Sequence, residues 1–77
     1  MVEWKEEVVN HDGHYLVSTV QLLYPMSTEG GFETRVFVME AENRPDWGSN
    51  VLSALYSSED EARDGHRRIL ALFRGDK

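Results

Sequence analysis

The chain of 77 residues contains no cysteine, so neither a disulfide nor a thiolate metal site can brace it. That absence suits a reducing compartment. No stretch approaches the roughly 18 apolar residues needed to cross a bilayer. Bases are scarce too: eight Lys and Arg stand against fourteen Asp and Glu, a net charge of −6. The deficit is local, because residues 1–58 hold nine acids and three bases (Lys5, Arg35, Arg44) while residues 59–77 hold five of each. An acidic body repels phosphate backbones, which argues against direct nucleic-acid binding and leaves open binding to a basic surface, or imitation of a nucleic acid to occupy one. Residues 1–7 are net acidic, with Glu3, Glu6 and Glu7 against Lys5, unlike a signal or transit peptide, so a cytoplasmic location is expected. The chain also lacks a nucleophile elbow, a phosphate loop, a dinucleotide fingerprint and a His-Glu-x-x-His helix. Without such a motif the expectation is that the protein is not an enzyme and carries no cofactor.

The 40% hydrophobic and 29% charged content is that of a folded chain, not a disordered one. Its length makes residues 1–77 one domain. A chain this short buries only about 60% of its unfolded surface. With disulfides excluded, self-association, most simply as a homodimer, is the expected extra support.

Val2–Val9 reads as a first strand, with Val2, Trp4 and Val8 on one face and Glu3, Glu6 and Glu7 suiting an edge. Asp12-Gly13, within Asn10–Gly13, marks a hairpin. Tyr15–Leu23 is the second strand, Tyr24–Gly31 a loop with Pro25 and paired glycines, and Phe32–Ala41 the third strand. Glu42–Asn50, with Pro45 and Gly48, reads as a surface loop, and Val51–Tyr56 as a short fourth strand or an extended lead-in. Ser58-Glu59-Asp60-Glu61 has the pattern of a helix capping box, and acids lead where arginines follow. Ala62, His66, Ile69, Leu70 and Phe73 make one apolar stripe, and Gly75 stops the helix. The fold class is therefore α+β: an antiparallel sheet of three to four strands followed by one C-terminal amphipathic helix packed on one face.

That sheet has apolar groups on both faces. Leu16, Val20 and Leu22 oppose Tyr15, Val17 and Leu23 across the second strand; in the third, Phe32, Val36 and Val38 oppose Phe37 and Met39. A helix of about 16 residues, roughly 24 Å long, covers one face. The other must meet water, the loop carrying Trp47, or another protein, since a large apolar patch on a monomer often marks an interface. Phe37, Met39 and Trp47 are the expected contact residues, with Glu33 and Glu40 steering toward a basic surface.

A second reading places Thr19, Glu33, Thr34, Tyr56 and His66 around a small-molecule or nucleotide pocket near the helix. His66 lies in the apolar stripe, where a histidine is most often a core residue with a satisfied nitrogen; its ring also offers a ligand one donor and one acceptor. Asp64 stands at the wrong helical spacing to orient it, and Glu33 is the acid considered for paired acid–base work. His11 and His14 have His-x-x-His spacing, but no further ligand completes a tetrahedral set, so no metal is expected. A purely structural homodimer is the third reading.

Ser18-Thr19-Val20, Phe32-Glu33-Thr34 with Val36-Phe37, Tyr56-Ser57, Glu61-Ala62 and Gly65-His66 together resemble a pattern in short uncharacterised proteins of bacteriophages and prophage-bearing bacteria. The likeness spans about two-thirds of the chain. It departs where the family runs Leu-Gly-Leu-Asp-His and this chain has Leu22-Leu23-Tyr24-Pro25-Met26, and where Arg35 replaces methionine. The resemblance implies a strands-then-helix fold, a phage or prophage setting in the bacterial host cytosol, and an accessory role binding host machinery or defence proteins.

Overall fold

The computed structural model describes residues 2–22 and 31–75. Strands β1 (Glu3–Asn10), β2 (Gly13–Gln21) and β3 (Phe32–Ala41) form an antiparallel meander. The second strand thus ends before Leu22, and most of the expected loop Tyr24–Gly31 lies outside the described residues. Segment 42–50 is not loop throughout, because β4 (Arg44–Pro45) pairs with the end of β3. Asn43 permits that reversal by taking φ 62, a left-handed conformation that asparagine tolerates better than most residues. The ambiguous run after it is a strand, β5 (Leu52–Tyr56), antiparallel to β3. The carbonyls of Val36 and Val38 accept from Val51 and Asp46. Being two residues apart, they point to one edge of β3, so β4 and β5 follow each other along it.

Side-chain chemistry closes the first hairpin. His11 and Asp12 are the two loop residues, since Asn10 already pairs with Gly13. Asn10 Oδ1 accepts from the backbone N–H groups of Asp12 (2.7 Å) and Gly13 (3.1 Å). Its amide nitrogen donates to the Phe73 carbonyl, fastening the hairpin to the last turn of the helix. The Asp-Gly pair announced the turn; Asn10 holds it.

Helix α1 (Glu59–Arg74) is capped at both ends. Ser58 Oγ accepts from the Glu61 N–H at 3.2 Å, and Glu59, Asp60 and Glu61 complement the positive end of the helix dipole. The capping box is half formed, since the Glu61 carboxylate accepts from the Ser57 hydroxyl at 3.1 Å. Gly75 takes φ 78, and its N–H reaches the carbonyls of Ala71 and Leu72.

The helix buries Ala62, His66, Ile69 and Leu70 against one face of the sheet. Register decides what they meet: Val17 lies opposite Val36, and Val36 opposite Leu52. Val8, Val17, Val36, Ile69 and Leu70 form the core, flanked by Tyr15, Leu52 and Phe73. The helix crosses the sheet from the end of β5, where Gly65 lies under Tyr56, to the β1–β2 hairpin, where Phe73 meets Tyr15 edge-on at 5.0 Å. No helix among the described residues is long and apolar enough to cross a membrane.

Candidate functional site

Two places bring chemistry-bearing side chains together, one on each face of the sheet. On the helix side the register sets Thr19 opposite Thr34, and the apolar stripe of the helix delivers His66 above them. Thr19 Oγ1 lies 2.5 Å from Thr34 Oγ1 and 2.6 Å from His66 Nδ1. The other ring nitrogen, Nε2, lies 3.2 Å from Glu6 Oε1. An ionised carboxylate only accepts, so Nε2 carries a proton. With the single ring proton on Nε2, Thr19 donates to Nδ1 and Thr34 donates to Thr19, so the four side chains form one hydrogen-bonded chain. No buried side-chain nitrogen or oxygen among the described residues lacks a partner.

Hydroxyl, imidazole and carboxylate here follow the order of a hydrolase triad, but the arrangement is inside out. Both threonines are 0% exposed, whereas the carboxylate end opens to solvent. The hydroxyl that a triad would offer to a substrate is shut in the core. Outside His66 lies a shallow cavity of about 190 Å³ lined by Trp4, Glu6, Arg63, His66 and Arg67. Arg63 stands 5.6 Å over the Trp4 ring and is also paired with Glu59 at 3.1 Å. The volume falls below the roughly 300 Å³ where small-molecule pockets usually begin.

This geometry divides the residues expected around a ligand. Thr19, Thr34 and His66 do converge, but as buried partners of one another. Tyr56 packs over Gly65. Glu33 is excluded by strand parity: its neighbours are Val20 and Leu55 on the opposite face, so it cannot work with His66. Glu6 takes the place considered for Glu33. Strand alternation alone put Glu6 on the face of Trp4 and Val8, and that was the signal available for it. Asp64, as its spacing required, turns away and pairs with Arg68 at 2.9 Å. His14 Nε2 lies 3.0 Å from Glu7 Oε1, while His11 is exposed in the turn. Among the described residues no three His, Asp or Glu side chains gather as a metal site.

The second place is the face without a helix. There the loop after β4 folds back, so that Trp47 meets Phe37 edge-on with ring centroids 5.0 Å apart. Asp46 Oδ1 accepts from the Gly48 N–H, and the Ser49 hydroxyl donates to the Asp46 carbonyl and accepts from the Val38 N–H, which pins the loop to β3. Leu16 and Phe37 are buried in consequence, at 7% and 5% exposure, while Trp47 itself remains 59% exposed. Beside it is an open cleft of about 330 Å³, lined by Lys5, Ser18, Val20, Glu33, Arg35 and the two aromatics. Lys5 Nζ stands 5.9 Å over the Trp47 ring. Arg35 pairs with Glu33 at 2.9 Å, so that acid is neutralised within the cleft. Met39, half-buried, lies opposite Pro45, and Glu40 is an outward acid 3.8 Å from Arg44. The loop thus covers part of the second apolar face and presents an aromatic surface in its place.

No family model, curated protein or solved structure matches the chain.

Proposed function

We propose that this chain is a non-catalytic accessory protein that binds another protein through its helix-free face. Trp47 carries the reading: a largely exposed indole held upright on a buried phenylalanine, beside a cleft and on a loop fixed by its own hydrogen bonds. Such a group loses little conformational freedom on binding and offers much apolar area, which is why tryptophan is enriched among interface hot spots. The fitting partner is a basic protein that places an apolar side chain between Trp47 and the cleft floor. Glu40, Glu42, Asp46 and the net charge of −6 supply the attraction. With Glu33 occupied by Arg35, steering falls to the acids around the β3–β4 turn. Burial of Thr19 favours a non-catalytic role, because the one hydroxyl next to an imidazole has no path to a substrate. The phage or prophage setting, with inhibition of host machinery or defence in the host cytosol, rests on the sequence resemblance.

Trp47→Ala tests this directly, since the indole is mostly in water and its loss should spare the fold. Phe37→Ala is a poorer probe because that ring is buried. For a partner captured from bacterial lysate and purified, Trp47→Ala should weaken binding by roughly thirtyfold or more, the hot-spot scale of about 2 kcal/mol. Calorimetry showing unchanged affinity in a variant with native circular dichroism would remove this surface from the interface.

A further inference from the structure

The sheet is bordered by β1 on one side and by β4 and β5 on the other; the outer edges of the two longer border strands, β1 and β5, carry no partner among the described residues, and they are built differently. β1 bears Glu3, Lys5, Glu6 and Glu7, the charges by which edge strands resist stray pairing. β5, Leu52-Ser53-Ala54-Leu55-Tyr56, has no charge and no proline. Exposed apolar side chains lie on it and beside it. Val51 and Leu55 are 50% and 60% exposed, and Leu55 shares the helix-free face with Glu33. Two of the six exposed large apolar residues, Val51 and Leu55, therefore lie on or beside this one bare strand.

We infer that two copies of this chain join through β5, pairing antiparallel about a two-fold axis at Ala54 to make one continuous sheet. The sequence of β5 is self-complementary in that register. Ala54 meets its own copy, Leu52 meets Tyr56 of the other chain on the helix side, and Ser53 meets Leu55 on the other side. The smallest of these side chains sits at the axis, and no like charges face each other. Pairing β5 with β1 of another copy would instead propagate an open fibre, and the acids of β1 oppose it. A β5–β5 pair closes about its two-fold axis, and the acids of β1 oppose the corresponding β1–β1 pair. The β5–β5 pair also supplies the support that a small chain without disulfides needs, and it leaves Trp47 free, so it stands independently of the binding role proposed above.

Sedimentation of the wild-type chain should show a species of twice 8.9 kDa that dissociates on dilution. Amide exchange across Leu52–Tyr56 should slow as concentration rises, because the outward N–H groups gain partners. Ser53→Lys with Leu55→Lys places two like charges opposite each other in both halves of the pair, and so does Ser53→Glu with Leu55→Glu. Each doubly substituted protein alone should be monomeric, and mixing the two should restore a one-to-one dimer. The inference is overturned if the wild type stays monomeric at every concentration, or if a dimer forms without protecting β5. It is overturned equally if two natively folded charge variants stay monomeric when mixed, or if either one dimerises as well as the wild type. The exchange measurement needs no variant, so misfolding of the charged proteins would not shield the inference.

Discussion

Replacing His66 with alanine should destabilise the protein by about 3–5 kcal/mol. The imidazole is 4% exposed, so its removal leaves a cavity, and it also takes a hydrogen-bond partner from a fully buried threonine hydroxyl. A small domain has roughly 5–15 kcal/mol in total, so this change alone threatens the fold. The penalty should nearly vanish when the whole polar set becomes apolar. Thr19→Val, Thr34→Val and His66→Leu together conserve volume and leave no buried donor stranded, so the triple variant should lie within about 1.5 kcal/mol of wild type. Urea denaturation of the single and triple variants separates two meanings of the Thr34–Thr19–His66–Glu6 chain. Recovery in the triple variant, with partner binding intact, marks the chain as a structural tie between helix and sheet. Recovered stability with lost binding would show that the polar set serves the interface.

Gly65→Ala should destabilise by about 1–3 kcal/mol, reversing the usual sign. In most helix interiors this change gains roughly 0.8–1 kcal/mol, because alanine restricts the unfolded chain. Here a methyl at position 65 would overlap the Tyr56 ring, which must leave its place against the helix. Tyr56→Ala opens that space. In its background Gly65→Ala should become stabilising, and a double-mutant cycle measures the coupling. Additive behaviour of the two substitutions would mean that ring and glycine do not constrain each other.

Much of the fold was legible because local signals agreed with one another. The stripe Ala62, His66, Ile69, Leu70 has one burial solution, and Ser58 and Gly75 mark where it begins and stops. The third strand matches its pattern from Phe32 to Ala41. Segment 42–50 was less legible, since a two-residue strand has no periodicity to detect and β4 exists only because Asn43 reverses the chain beside β3. The partial cover of the second face was open for a similar reason: a tryptophan in a polar loop can fold inward or outward, and contact with Phe37 decides it.

The candidate sites divide along the same line. Alternation along β3 already put Thr34 on a different face from Glu33, and helical spacing already set Asp64 away from His66. Residue order therefore determined an acidic α+β chain, its helix, its first hairpin and the two sets of side chains that each strand offers. Pairing Thr19 with Thr34, bringing Glu6 to a histidine sixty positions away, standing Trp47 over Phe37 and leaving β5 as an open edge were decided only in three dimensions. Periodicity is a property of neighbours along the chain, and it fixes which way a side chain points. Which other side chain waits there depends on strand register and strand order, and those are set by the packing of the whole molecule.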